Sequence, residues 1–206
     1  FAAVHKQKVP GVSWESAAIG HAAWSGVRLA DVLKLVGVRE GAKHVWFEGL
    51  DEVVDGDHKI PFGGSIPLDR VRGDVPGGYQ PLLASHMNGA ALTVEHGAPL
   101  RTLVPGYIGA RSVKWLGKLV VSAEPSPNHY LAHAYKLITT NSPAELDQAA
   151  PLYEQTLNSV IAEQKVTTGN TAALRGFALP SGAYGRTIQR VELTLDDGQT
   201  WQPAQL

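Results

Sequence analysis

Apolar residues recur at helical spacing near the start of the chain. Leu29, Val32, Leu33 and Val36 fall at i, i+3, i+4 and i+7. That spacing predicts an amphipathic helix over residues 25–36, ended by Gly37 in a left-handed cap. Before it, residues 1–23 read as loop and short strand, with Pro10-Gly11 as a turn signal. After it the pattern shortens. Residues 44–47 read as a strand, Gly49-Leu50-Asp51 turns off its end, and residues 52–64 form a polar loop. Ser65-Ile66-Pro67 opens a short helix or turn through Arg70, and Pro76-Gly77-Gly78 marks another loop. Over residues 113–122, Val113, Trp115, Leu119 and Val121 share one face at period two, with Lys114 and Lys118 on the other, which predicts a strand. Residues 123–156 are polar and interrupted by Pro125, Pro127, Pro143 and Pro151, and read as a connection. From Asn158 the pattern is all-β. Strands are expected at residues 174–179 and 190–195, the second with Val191, Leu193 and Leu195 on one face, and Asp197-Gly198 turns tightly before Trp201.

Composition narrows the class. The chain has 206 residues, enough for one large domain or two small ones with a real core. Hydrophobic residues at 44% and charged residues at 18% describe a globular protein. A net charge of −1 gives no global field for nucleic acid or an anionic membrane, so neither is expected as a partner. No stretch approaches the roughly 18 apolar residues of a membrane span. With no Cys, the chain itself offers neither disulfides nor thiolate metal ligands. It begins at Phe1 without an initiator Met or a signal-peptide pattern, which suggests a trimmed chain.

The chemistry concentrates in residues 87–116. This stretch holds one His, three basic groups, four Gly and two Pro between short apolar runs. Gly and Pro make a tightly turned loop. Into it fall His96, Arg101, Arg111, Ser112 and Lys114, all able to donate hydrogen bonds to an anion. A pocket for a phosphate-bearing cofactor or an oxyanion is the first reading. Gly106-Tyr107-Ile108-Gly109 is no dinucleotide fingerprint and reads as turn geometry. The remaining histidines contain one i,i+4 pair, His129 and His133, without the Glu of a zinc-protease helix, and read as structural or exposed.

Those motifs carry a family resemblance. His96-Gly97-Ala98-Pro99-Leu100-Arg101, then Val104-Pro105-Gly106 through Arg111-Ser112-Val113-Lys114-Trp115-Leu116, resembles the sulfite oxidase family of molybdopterin enzymes. The run from Trp14 to Leu33, with Trp24, Arg28 and Asp31, follows the same family order. The resemblance implies that His96, Arg101, Ser112 and Lys114, with the backbones around Val113 and Leu116, contact the pterin and its phosphate. It implies that Asp51 accepts N–H bonds from the pterin ring. Trp14 would line the substrate pocket, Tyr135 would be the active-site tyrosine, and Arg186 would bring charge to the anion. The family's compact glycine motif before that arginine is interrupted here by Ala183-Tyr184. Trp24 is expected in the core, Glu48 in a structural role, and Arg28 with Asp31 in holding the helix.

The implied fold is α+β. A molybdopterin-binding catalytic domain spans residues 1–123, a connection 124–157, and a partial immunoglobulin-like β-sandwich 158–206. A full sandwich needs about seven strands; only three or four fit here. The implied cofactor is molybdenum–molybdopterin, whose Cys ligand is expected before residue 1. The implied activity is oxidation of sulfite to sulfate, by a sulfite oxidase or dehydrogenase, with electrons passed to a haem protein. The implied assembly is a homodimer, and export to the periplasm would suit an enzyme without its own haem domain. A nitrate-reducing relative is the nearest alternative, although Ser112 and Tyr135 favour sulfite. A non-catalytic binding or dimerisation module is the second.

Overall fold

The helical periodicity of residues 25–36 is realised only in its second half. In a computed structural model describing residues 20–55, 58–73, 80–137, 142–167, 169, 171–182 and 186–206, Trp24–Arg28 is a strand, β1, and the helix α1 is Leu29–Val36. Ser25 and Gly26 sit at a bulge where β1 pairs with a later strand, and a Cβ on Gly26 would collide with the Leu83 carbonyl. Arg28 stands at the helix start and forks onto Asp31 at 2.7 and 2.8 Å, as expected of a pair that holds the helix. Leu29 and Leu33 are buried, Val36 is exposed, and Gly37 takes a positive φ of 78°.

The chain then forms β2 (His44–Gly49), β3 (Val53–Asp55), β4 (His58–Ile60), β5 (Gly63–Pro67), α2 (Asp69–Arg72), β6 (Leu82–Met87), β7 (Ala90–Ala91) and β8 (Arg101–Leu103). A 3-10 turn at Gly109–Arg111 leads to β9 (Leu116–Ser122), α3 (His129–Ala132) and α4 (Pro143–Gln148). All strand pairs are antiparallel. One sheet has the order β5-β2-β9; in another β6 pairs with β1, β7 and β8. β2 alternates cleanly, with Val45, Phe47 and Gly49 buried. Val45 faces Ile66 and Val121 in register, and Phe47 faces Leu119. With Leu29, Leu33, Leu68, Val71, Leu83, Val104 and Val113 these residues form the core.

Three local expectations change. Residues 52–64 contain the hairpin β3-β4 rather than a plain loop. Ser65 and Ile66 lie in a strand because they are fully buried, and an internal strand satisfies their backbone groups where a turn would not. The strand expected from Val113 starts at Leu116, because Trp115 takes φ 48° and breaks the extended run.

The chain divides into two compact units, the larger built on Ala22–Gln155 and the smaller on Thr156–Ser181 and Arg186–Leu206. Of the connection expected at residues 124–157, the described residues up to Gln155 pack within the larger unit. Trp46 Nε1 donates to the Glu124 carbonyl at 2.7 Å, Ser126 N–H to Ser65 Oγ at 3.0 Å, and Asn128 Nδ2 to the Pro61 carbonyl at 3.0 Å. Among the described residues no helix is long and apolar enough to cross a membrane.

In the smaller unit β10 (Asn158–Thr167) pairs with β11 (Thr171–Leu179), and β12 (Glu192–Leu193) with β13 (Gln202–Pro203). These are two-stranded ribbons, so the described residues do not close a sandwich. The strand expected over 190–195 shortens to two residues because a turn intervenes, with Asp197 at φ 55° and Gly198 at φ 91°. Asp196 organises that turn. Its carboxylate accepts from the Thr200 hydroxyl at 2.6 Å, the Thr200 N–H at 2.8 Å and the Thr194 hydroxyl at 2.8 Å.

Two tests follow from this packing. Phe47→Ala removes the central side chain of β2 and should lower the free energy of urea unfolding by about 3–5 kcal/mol; a loss below about 1 kcal/mol would place Phe47 outside the core. The hydrogen bonds from Thr200, then Thr194, hold Asp196 at a pKa of about 2, below its ordinary value of 3.8. A depressed carboxylate stabilises the fold above its unfolded pKa and loses that contribution as pH falls through its folded one. Melting temperature should therefore fall less steeply between pH 4 and 2 in Asp196→Asn than in the parent. Equal slopes would exclude the role.

Candidate functional site

Residues 93–98 coil into a tight turn. His96 N–H donates to the Thr93 carbonyl at 3.1 Å, Gly97 to Val94 at 3.0 Å, and Ala98 to Thr93 at 3.0 Å. Gly97 closes the turn at φ 96°, a conformation that favours glycine. It also lies against Lys114, since a Cβ there would be 2.8 Å from Lys114 Cβ. Lys114 donates through Nζ to the Glu95 carbonyl at 2.9 Å and lies 4.2 Å from the centre of the Trp115 ring. Trp115 Nε1 in turn donates to the Val94 carbonyl at 2.7 Å. The 93–98 turn and the 112–116 segment are thus locked face to face.

Arg101, at the start of β8, bridges both. Its Nη1 donates to the His96 carbonyl at 3.0 Å, Nη2 to the Ser112 carbonyl at 3.2 Å and Nε to the Thr102 carbonyl at 3.3 Å. These acceptors take three of a guanidinium's five N–H groups, leaving one on each terminal nitrogen. The guanidinium sits 5.0 Å from the centre of the Trp24 ring, so Trp24, expected in the core, is half-buried and backs the site instead. Burial pulls Arg101 below its ordinary pKa. No carboxylate pairs with it among the described residues.

The structure therefore brings His96, Arg101, Ser112 and Lys114 together. Ser112 Oγ accepts the Val104 N–H at 3.0 Å and keeps its own proton to donate. His96 is exposed. Asp51 follows a residue tied to the same segment, since Leu50 N–H donates to the Trp115 carbonyl at 2.8 Å. Asp51 Oδ1 accepts the Phe62 N–H at 3.1 Å, and Oδ2 takes no hydrogen bond among the described residues. Glu95, exposed on the same turn, is held below the usual carboxylate range by a hydrogen bond from its own N–H and then by the Thr93 hydroxyl. Val113 and Leu116, read as backbone contacts to the cofactor, use their N–H groups internally. Val113 donates to Thr102 Oγ1 at 2.7 Å and Leu116 to the Leu100 carbonyl at 2.8 Å.

One sequence-level donor moves out of the group. Arg111 is 1% exposed and donates only to backbone carbonyls, so it is no surface anion ligand. Its guanidinium lies 6.0 Å from the centre of the Tyr135 ring and 5.5 Å from that of Tyr153. Burial lowers its pKa, opposed in part by Tyr153 and Tyr135. Burial also pushes the Tyr153 phenol up. Tyr135 is half-exposed at φ 49°, and its carbonyl accepts the Leu152 N–H at 2.8 Å. Arg186, in the smaller unit, donates to Ser181 Oγ at 2.8 Å. Glu48 pairs with Lys118 at 3.5 Å, the structural role expected of it. Trp14 lies outside the described residues. Sequence reasoning missed Trp24 and Thr102 as supports of the site, because nothing local couples a tryptophan in β1 to an arginine in β8.

Comparison with known proteins gives this geometry a context. Residues 2–130 match a family model described as "Oxidoreductase molybdopterin binding domain", and residues 149–206 one described as "Mo-co oxidoreductase dimerisation domain". The chain is 38% identical over 208 residues to the mitochondrial sulfite oxidase of Rattus norvegicus, covering 97% of this chain and 37% of that protein. It is 37% identical over 215 residues to the sulfite oxidase of Arabidopsis thaliana, covering 96% and 52%. It is 36% identical over 216 residues to the nitrate reductase [NADPH] of Fusarium oxysporum, covering 97% and 23%. Among solved structures it resembles the sulfane dehydrogenase SoxCD from Paracoccus pantotrophus, with a TM-score of 0.66, 28% identity, and coverage of 89% of this chain and 43% of that one. The chain spans about a quarter to a half of the length of these relatives.

The cofactor is molybdenum–molybdopterin, and the residues present fit it. Imidazole, guanidinium, hydroxyl and ammonium donors on His96, Arg101, Ser112 and Lys114 suit a phosphate. The open Oδ2 of Asp51 suits the N–H edge of a heterocycle, since an ionised carboxylate only accepts. Gly97→Ala tests the cradle. A methyl at φ 96°, pressed against Lys114, should displace the lysine and lower the molybdopterin content of purified protein by about 10-fold, with far-UV circular dichroism unchanged. Full cofactor content would remove Lys114 from the cradle. The chain belongs to the sulfite oxidase family of molybdopterin oxidoreductases.

Proposed function

We propose that this chain is the cofactor-holding part of an enzyme that oxidises sulfite to sulfate and works as a homodimer through its second unit. One water supplies the added oxygen atom, two protons are released, and two electrons leave singly to a haem protein. The bound cofactor supplies the oxygen-atom transfer and the two-electron redox chemistry. The protein's part is to hold the cofactor and to bind and orient an oxyanion beside it.

The observation that carries the reading is Tyr135. Its phenol is half-exposed, on a backbone conformation unusual for a bulky side chain, and is backed by the buried cation of Arg111 at 6.0 Å. A phenol so placed donates a hydrogen bond to an anion's oxygen, and the cation behind it favours negative charge in front. Fixed charge and an aimed donor lower the barrier where negative charge is handled. Arg186 and Trp14 keep in this proposal the roles the motifs imply, neutralising the anion and walling its pocket.

Nitrate reduction is the second reading, favoured by the 36% identity to a nitrate reductase over 97% of the chain. Against it stands Ser112, whose hydroxyl accepts the Val104 N–H. The methionine of nitrate-reducing relatives at this place would offer only a weak thioether acceptor.

Steady-state turnover of the full-length holoenzyme separates the two. Sulfite should be oxidised and nitrate left unreduced, and Tyr135→Phe should lower kcat/KM for sulfite by about 10–100-fold, the worth of a hydrogen bond to a charged group. Nitrate turnover without sulfite turnover would overturn the proposal, and purified full-length protein without molybdenum would revive a non-catalytic module.

A further inference from the structure

Arg111 is buried and charged, and its hydrogen bonds go beyond the electrostatic backing it gives Tyr135. It ends the 3-10 turn Gly109–Arg111, one residue before Ser112 and three before Lys114. Its side chain points away from those ligands. Nε and Nη2 both donate to the Leu152 carbonyl, at 3.1 and 2.9 Å, and Nη1 donates to the Tyr130 carbonyl at 2.9 Å. Leu152 is therefore held at both ends, because its N–H donates to the Tyr135 carbonyl at 2.8 Å. Neighbouring bonds extend that pairing: Leu137 N–H donates to the Ala150 carbonyl at 2.9 Å and Lys136 Nζ to the Ala149 carbonyl at 2.8 Å. Tyr130, fixed by Nη1, stacks on Phe62 at 4.5 Å and stands 6.5 Å from the Tyr135 ring. Gly64 leaves room for the guanidinium, since a Cβ there would lie 3.3 Å from Nη1.

We infer that Arg111 is a positioning residue for Tyr135, fixing the phenol relative to the turn that carries Ser112 and Lys114. The inference rests on the reading of Tyr135 as the substrate-facing phenol. Three features support it. The planar fork suits two acceptors in one plane, a geometry that a lysine's point charge cannot reproduce. Tyr135 sits at φ 49°, which persists only where surrounding contacts over-determine it, and the chain of bonds through Leu152 does so. Arg111 also contacts the Tyr135 and Tyr153 rings directly, at 6.0 and 5.5 Å. Backbone and ring are thus held by one group.

A double-mutant cycle in the full-length holoenzyme tests the inference, with Arg111→Lys, Tyr135→Phe and the pair together. Arg111→Lys should lower kcat for sulfite by about 10-fold, and by less than about 2-fold once Tyr135 is already Phe. Molybdenum content should stay at the parent level, because the Arg111 guanidinium donates to the Leu152 and Tyr130 carbonyls and to none of the proposed cofactor donors. Nitration of Tyr135 by tetranitromethane, followed by peptide mass spectrometry, reads its placement without reference to turnover and should change by about 3-fold or more in Arg111→Lys. Should Arg111→Lys not fold, Gly64→Ala, which presses on Nη1 and keeps the charge, should move nitration in the same direction by a smaller factor. Equal effects of Arg111→Lys in both backgrounds, or unchanged nitration of Tyr135, would overturn the positioning role. If Tyr135→Phe leaves sulfite turnover intact, the functional reading fails instead, and altered nitration in Arg111→Lys still upholds the positioning role.

Discussion

The site depends on guanidinium charge held against backbone carbonyls rather than carboxylates. Arg101 and Arg111 each donate to three or fewer carbonyl oxygens, and neither has a carboxylate partner among the described residues. Burying an ion costs several kcal/mol in desolvation, and an adjacent carboxylate would offset much of that. It would also cancel the positive field. Carbonyl dipoles stabilise the cation while leaving its net charge in place. Arginine's proton is effectively permanent at neutral pH, so the charge survives the downward pull of burial on both residues. A protein that must hold an anionic cofactor has reason to accept that arrangement.

Backbone geometry does the matching work of placement. Gly97, Trp115 and Tyr135 all take positive φ; the first two meet at Lys114, and the third lies over the buried Arg111. For the two aromatic residues that conformation costs of order 1–3 kcal/mol each. Each is held by bonds from elsewhere in the unit. Trp115 is fixed through its indole N–H on Val94 and its carbonyl under Leu50 N–H, and Tyr135 through its carbonyl under Leu152 N–H. At Trp115 the reversal ends the extended run, so Lys114 faces the 93–98 turn and Leu116 enters β9. The same distortion that shortened the expected strand aims the lysine.

What could be read from the sequence follows the range of the interactions involved. β2 was legible because its short apolar run, Val45 to Phe47, ends at the Gly49 turn, and Leu29 and Leu33 were legible as the buried stripe of α1. His96, Arg101, Ser112 and Lys114 were legible as a group because short, Gly-rich spacing confines them to one loop. Residues 65–67 were not, since the strand there depends on pairing with β2 and its Pro67 resembles a turn signal. Residues 124–157 looked like a connection because prolines and polar residues hide anchors such as Ser126 and Asn128, whose partners Ser65 and Pro61 lie far back in the chain. Arg111 was misread for the same reason. Its position beside Ser112 suggested a shared ligand, but the acceptors that turn it inward, Tyr130 and Leu152, come later in the chain.

The occupied backbone of the cradle bears on how it selects its ligand. Many phosphate sites rely on a row of free N–H groups, which bind any well-placed acceptor. Here the N–H groups of Val113 and Leu116 are taken by Thr102 and Leu100, so the grip falls to side chains. Of the side chains available, Lys114 offers a point charge, Arg101 a directional N–H on each terminal nitrogen, and Ser112 a single hydroxyl donor. A neutral ligand of the same shape gains little from the point charge. A free inorganic anion satisfies charge but has no N–H edge to offer the open oxygen of Asp51. A ligand with both an anionic tail and a donor-rich ring suits Lys114 and Asp51 together, and the bonds from Leu50 N–H to the Trp115 carbonyl and from Lys114 Nζ to the Glu95 carbonyl hold the end of β2 and the 93–98 turn to the one segment between them.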